Sequence, residues 1–505
     1  MFAAARPIYR VDEIRRIEAA FLDSAEPPLM ERAGEAAAEL AAKLIGKDRR
    51  AILVVCGPGN NGGDALVLAR LLRAAGRAVC VVLAGDAGRL PADAAKAHAA
   101  WLDAGGGCES ELPPSPTEGW SLVVDGLFGI GLQRPLEGRL ATWIGHLNSL
   151  DAPRLALDIP SGLEADSGRV LGCAFDATHT ITFIAHKPGL LTLDGPDHCG
   201  RIHLAPIGID AEASLPANAH EITPAIFSSC LARRRRNSHK GSYGDVVVIG
   251  GDKGMTGAAL LAGRAALHLG AGRVFVCLLA GEAMQVDPIQ PELMLRSADE
   301  ALCLGGIAVA GPGLGRSPQA HSLLAALLES APALLLDADA LNLVAARPAL
   351  AQSLRARQVP AIITPHPAEA ARLLGADTAR VQADRVAAGK ALAARFNCIA
   401  LLKGCGSIVA SPDGRWWINR SGHPGMASAG MGDVLSGITG ALLAQHWPGE
   451  LALIGATHLH GRAAEQLTVE GIGPVGLLAG ELPGAARRVL NAWLAGDEPA
   501  PGPPT

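Results

Sequence analysis

Short apolar runs alternate along the chain with longer amphipathic stretches. Ala51–Cys56 is an uninterrupted apolar hexamer closed by Gly57-Pro58-Gly59, the pattern of a parallel strand buried on both faces. Ala78–Leu83, Ser121–Asp125 and Arg154–Asp158 repeat it, and the last two end in Asp ahead of a Gly-containing loop. Between them, Val11–Leu22, Glu31–Leu44 and Asp64–Ala75 carry helical spacing. Strand signals fade after Ile209, and a loop-like stretch with Pro216 and Pro224 follows. A second series then opens at Asp245–Gly251 and continues at Arg273–Leu278, Gly306–Ala310, Ala333–Asp337, Ala361–Thr364 and Cys398–Leu402, with helices in the intervals. Two α/β halves are expected. In open α/β sheets ligands bind at the carboxyl ends of the strands, so the polar loops there are the candidates for chemistry.

Composition narrows the picture. A chain of 505 residues exceeds one ordinary core, which agrees with two domains. Aromatics are only 3% while Gly alone numbers 61, which favours tightly packed α/β layers over an aromatic-rich sandwich. A net charge of -5 argues against nucleic acid as partner, and Arg233–Arg236 reads as a solvated inter-domain cluster. The ten cysteines form no CxxC pair and no zinc-type spacing, so reduced thiols in a cytoplasmic protein are expected. The first residues lack the apolar core of a signal peptide, and the longest apolar stretch, Val434–Ala444, is too short to span a bilayer.

In the first half, Gly57–Asp64 joins a strand to a helix but is neither GxGxxG nor a Walker loop. Its glycines allow close backbone approach and its helix start favours phosphate; its Asn and Asp oxygens equally suit a cation or a sugar. A Gly-rich turn with an Asp helix cap is the plain alternative. Together with Asp125–Leu132 and Asp158–Leu163, the loop resembles the NAD(P)HX epimerase family, the YjeF N-terminal domain, whose motifs are NNGGDG, VDxLFGTGL and DIPSGL. That resemblance covers about residues 10–210. It implies that Asn60, Asn61, Gly62, Gly63 and Asp64 line the substrate site and that Asn61, Asp125 and Ser161 hold potassium. It further implies that Gly129, Ile130, Gly131, Leu132, Gln133, Arg134 and Pro135 wrap the substrate phosphates, with Asp158 as acid/base. Ala65 replaces a usual Gly, and Ile130 a usual Thr, so any phosphate contact at Ile130 falls to its backbone amide.

In the second half, Ser428–Gly437 places small residues and Asp433 at the start of an apolar helix. Unblocked amides there hold an anion, and the Asp can take a proton from a hydroxyl attacking phosphate; a dipole-stabilising Asp is the alternative. With Lys403–Ser407, Thr364–Glu369, Gly311–Gly315 and Met255–Ala259, the array resembles the ADP/ATP-dependent NAD(P)H-hydrate dehydratase family. The resemblance implies that Ala258, Gly313, His366 and Asp433 contact the hydrated dinucleotide. It also implies that Lys403, Gly404, Cys405, Gly406, Ser407 and Gly432 contact the adenine nucleotide, with Asp433 catalytic. His366 alone reads equally as a capped loop residue, Lys403 as a cover for its turn, and Cys405 as incidental.

The expected fold class is therefore an N-terminal Rossmann-like three-layer sandwich plus a C-terminal ribokinase-like α/β domain. The expected boundaries are 1–212 for the epimerase domain, 213–236 for a linker, 237–495 for the dehydratase domain and 496–505 for a disordered tail. The implied function is repair of NADHX and NADPHX: the R and S hydrates are interconverted, and the S form is dehydrated at the expense of ADP, giving AMP and phosphate. Potassium in the first domain, Mg2+ in the second and a homo-oligomer, a tetramer by the family, belong to the same expectation, with no nucleic acid or membrane partner. Two other readings compete. A ribokinase-like kinase leaves the first half without a task, and a non-enzymatic dinucleotide-binding protein leaves Asp158 and Asp433 without one.

Overall fold

The computed structural model describes residues 2, 4–22, 25–281 and 284–497. Of the expected tail, residues 498–505 lie outside the described residues. The described chain forms two compact units, residues 6–218 and residues 219–497, the latter joined by Phe2, Ala4 and Ala5, each built on one sheet.

The first sheet holds β1 (Ile52–Cys56), β2 (Val79–Leu83), β3 (Cys108–Glu109), β4 (Leu122–Gly126), β5 (Arg154–Leu157), β6 (His179–Phe183) and β7 (Arg201–Ala205). Their order is β3-β2-β1-β4-β5-β6-β7, and every pairing is parallel. The continuous apolar run of β1 is explained by its two buried faces. Ile52, Val54 and Cys56 enter a core under helices Leu29–Ile45 and Asn60–Ala74, while Leu53 and Val55 enter the opposite core with Trp143 and Phe175. Burying each such Val or Ile is worth about 1.5–3 kcal/mol. The chain reverses its direction of winding between β1 and β4, so the crevice at their carboxyl ends is the topological switch point.

The second sheet runs β11-β10-β9-β12-β13-β14-β15-β16-β17-β8. Its members are β8 (Ala219–Glu221), β9 (Asp245–Gly250), β10 (Arg273–Leu278), β11 (Met294–Ser297), β12 (Ile307–Ala310), β13 (Ala333–Leu336), β14 (Ile362–Ile363), β15 (Ile399–Leu402), β16 (Ser407–Ala410) and β17 (Trp416–Asn419). β9 to β15 are parallel to their neighbours; β16 and β17 turn antiparallel, and β8 joins β17 in parallel. The switch point lies between β9 and β12. Helices Thr256–His268, Met431–Ala444 and Gly449–Val469 bury Val246, Val248 and Val309 on one face.

Two sequence expectations differ from this architecture. The stretch expected as linker, 213–236, contains β8 and delivers Ile222 and Phe227 to the second core, where Phe227 meets Trp447, Trp493 and His458 at 5.6–6.2 Å between ring centroids. Within the arginine run, Arg234 lies 3.7 Å over the Tyr243 ring and donates to the Gly270 carbonyl at 2.6 Å. The helix expected from Asp64 begins earlier, at Asn60, so Asn60–Gly63 form its first turn rather than a preceding loop.

Candidate active sites

At the first switch point, Asn61 from the helix start, Asp125 from the end of β4 and Ser161 from the loop after β5 are all buried. The Asp125 carboxylate accepts the Ser161 hydroxyl (2.7 Å) and the amides of Ser161 (2.8 Å) and Leu127 (3.1 Å). Burial nonetheless pushes its pKa up to about 6, against the lowering effect of those bonds. Both polar atoms of the Asn61 side chain are buried without a partner. An oxygen left without a proton donor, near an under-neutralised carboxylate, is an environment that suits a cation.

Asp158 sits beside this group. It leaves β5 with φ +63°, in the left-handed region that few non-glycine residues occupy. Its Oδ1 accepts Lys187 Nζ at 2.6 Å and its Oδ2 the Ile130 amide at 3.3 Å. Gly129 passes so close that an added Cβ would lie 3.1 Å from Asp158 Oδ2 and 3.4 Å from the Asn61 side chain, so a side chain there would press on both. The Ile130 amide, expected to face a phosphate, is thus turned toward Asp158. Leu132 and Leu136 are buried in the core and anchor the loop, while Gln133, Arg134 and Pro135 remain exposed. Ala65, the departure from Gly, is fully buried on the helix side that faces Gly126.

Two charged groups were missed by sequence reasoning. Lys187 is buried in the loop after β6 and also donates to Thr182 Oγ1 and the Phe183 carbonyl, each at 2.9 Å. Glu18, from helix Val11–Phe21, has its pKa raised by burial and by the charge of Asp158. The signal was faint because β6, His-Thr-Ile-Thr-Phe, alternates polar and apolar residues and does not read as a buried parallel strand.

At the second switch point, Gly251 N donates to the Pro312 carbonyl (3.0 Å) and Asp252 N to that of Gly313 (2.6 Å), which ties together the loops after β9 and β12. Ala258 and Gly313 flank this junction. Opposite it, helix Met431–Ala444 starts from Gly430 at φ +87°. Met431 and Val434 point into the core, while Gly432 and Asp433 stay partly exposed. The first-turn amides carry the positive end of the helix dipole and have no intrahelical acceptor.

The surroundings of Asp433 set its chemistry. Burial, then the charges of Asp337, Asp339 and Glu369, outweigh Lys403 and push its pKa up to about 7. Lys403, at the end of β15, bonds Asp337 Oδ1 at 2.8 Å, and Ser436 Oγ donates to Asp337 Oδ2 at 2.9 Å. Burial alone would raise the Asp337 pKa, but Lys403 and these bonds hold it below the usual carboxylate range. An added Cβ on Gly432 would lie 3.1 Å from Lys403 Nζ, so the ammonium stands directly against the helix start. Asp337 and Ser436 were legible only as a strand end and a helix residue. His366 caps helix Pro367–Leu374: its Nδ1 accepts the amides of Ala368 (3.1 Å) and Glu369 (3.4 Å), and its Nε2 faces Glu369 Oε1 at 3.3 Å. Burial lowers its pKa, so the ring is neutral near pH 7. Gly404, Cys405 and Gly406 form an exposed or partly exposed turn closed by Ser407, whose hydroxyl donates to the Gly404 carbonyl and accepts its amide.

Comparison with known proteins gives two family matches. Residues 26–189 match the YjeF-related protein N-terminus, and residues 246–482 match NAD(P)H-hydrate dehydratase. The bifunctional NAD(P)H-hydrate repair enzyme Nnr of Escherichia coli K12 is 40% identical, with 96% of this chain and 94% of that protein covered. The enzyme of the same name from Coxiella burnetii is 38% identical, with 96% and 99% covered. Among solved structures, the ADP/ATP-dependent NAD(P)H-hydrate dehydratase of Bacillus subtilis, co-crystallised with ATP and Mg2+, is 29% identical with a TM-score of 0.48, covering 54% of this chain and 98% of its own.

Proposed function

Because the chain belongs to the family of bifunctional NAD(P)H-hydrate repair enzymes, we propose that its first unit interconverts the R and S hydrates of NADH and NADPH and its second dehydrates the S form with ADP. The carrying observation is Asp433, half-buried beside unblocked helix amides and Lys403, with a pKa near 7.

A hydroxide ion leaves poorly, whereas a phosphorylated hydroxyl leaves well. Asp433 takes the proton of the hydrate's hydroxyl as its oxygen attacks the terminal phosphorus of ADP. The helix amides and Lys403 hold the charge that develops on the phosphoryl oxygens, and AMP departs. The ring nitrogen then expels phosphate, and loss of the neighbouring proton restores the dihydropyridine. Magnesium binds through one or two carboxylates together with substrate phosphates, and Asp339, whose charge reaches Asp433, is a carboxylate that would hold it. It would neutralise phosphate charge there. The exposed turn Lys403–Ser407 offers backbone groups to the adenine nucleotide, and Ala258, Gly313 and His366 lie on the dinucleotide side.

In the first unit, Asn61, Asp125 and Ser161 would hold potassium, which would offset the buried charge of Asp125 and fix the loop ends. The hydrate carries its hydroxyl on a carbon next to the ring nitrogen, so loss and return of water inverts that centre, with Asp158 at the reacting ring.

Incubation of the protein with hydrated NADH and ADP, or ATP, tests the assignment. Recovery of the dihydropyridine absorbance is expected with release of phosphate. A stable phosphorylated product would mark a kinase and overturn the dehydratase reading.

A further inference from the structure

The epimerase reading assigns the first unit a proton-transfer reaction, and its site contains more carboxyl groups than one proton shuttle requires. Lys187 determines which of them is free. An ammonium has three donors, and those of Lys187 are all spent, on Asp158 Oδ1, Thr182 Oγ1 and the Phe183 carbonyl. Asp158 is therefore held in an ion pair, and its other oxygen accepts the Ile130 amide. Asp64 differs. It lies one helical turn beyond Asn60 and Asn61 on the same face of helix Asn60–Ala74, where the charges of Asp158 and Glu18 act on it. Among the described residues no hydrogen bond reaches its carboxyl, and Lys187 has no proton left to give it. Burial, with the negative charges of Asp158 and Glu18, raises its pKa well above the ordinary carboxylate value. The cations near this group are Lys187, committed to Asp158, and Arg15, which acts on Glu18.

Resting on the epimerase reading, we infer that epimerisation uses two carboxyls: Asp64 is the proton donor, and Asp158, fixed by the positioning residue Lys187, is the base. Asp64 gives its proton to the substrate hydroxyl. The carbon–oxygen bond breaks with its electrons on oxygen, water leaves, and the ring-nitrogen lone pair forms the C=N+ bond. A water on the other face then attacks that carbon, the C=N+ electrons return to nitrogen, and the water's proton passes to Asp158, whose oxygens each retain an acceptor lone pair. Return of the proton from Asp158 to Asp64 through solvent completes the cycle.

The test follows R-to-S interconversion of hydrated NADH chromatographically, with the full chain, potassium and no nucleotide, and uses NADH binding to show that the site is intact. For Asp64→Asn the rate is expected to fall by about 100-fold or more with the NADH Kd unchanged. The fall in wild-type rate as pH rises through the ionisation of Asp64 should vanish in that variant, and Asp64→Glu should recover part of the rate. An Asp64→Asn rate within about threefold of wild type, or loss of NADH binding along with the rate, overturns the inference. A wild-type protein that does not outpace spontaneous interconversion overturns the epimerase reading itself.

Discussion

At the scale of single residues, the second site turns on the protonation of Asp433. As the base it must be ionised, so kcat/KM for dehydration should rise tenfold per pH unit up to about pH 7 and then level off. Asp433→Asn should lower the rate by about 100-fold or more and remove that limb. Stability moves in the opposite sense. A carboxyl whose pKa is raised on folding contributes stability that is complete below its unfolded value and is lost as pH rises through its folded value. Asp433 ionises against the fold near neutrality, so Asp433→Asn should melt a few degrees above wild type at pH 8, as read by calorimetry. A variant that loses both activity and thermal stability would mark Asp433 as a structural helix residue. Asp125 obeys the same sign with a folded pKa of about 6. In potassium-free buffer the first unit should lose stability as pH rises from about 4 to about 6, and added potassium should restore it. Asp125→Asn should remove this dependence on potassium.

At the scale of elements, the strands most legible in the sequence were those buried on both faces. β1, β4, β5, β9 and β10 are runs of Val, Ile and Leu because neither face meets water. β6, β7, β16 and β17 lie toward the sheet edges or in the antiparallel extension, and their mixed or aromatic composition conceals them. That is why Lys187 went unnoticed: without β6, the loop after it has no place at a strand end. The 213–236 segment was hidden by its prolines and arginines, although Phe227 is fully buried. Phe227→Ala should cost about 3–5 kcal/mol, measured as loss of stability of the second unit. A true linker residue would change stability by less than about 0.5 kcal/mol.

At the scale of the whole molecule, each of the two units has its own sheet, its own core and its own switch-point site. Calorimetry should accordingly show two transitions. Potassium should move the transition that Asp125→Asn makes potassium-insensitive, and Phe227→Ala should lower the other. The sequence by itself determined the alternation of elements, the division into two α/β halves and the motif loops. Burial imposes a local apolar period, and close backbone approach imposes glycine wherever it occurs. Tertiary structure alone decided which charges meet. The pairing of Lys187 with Asp158, and of Lys403 and Ser436 with Asp337, joins residues 29, 66 and 99 positions apart. Electrostatic interaction depends on distance through space and on exclusion of water, and neither is written in the order of residues.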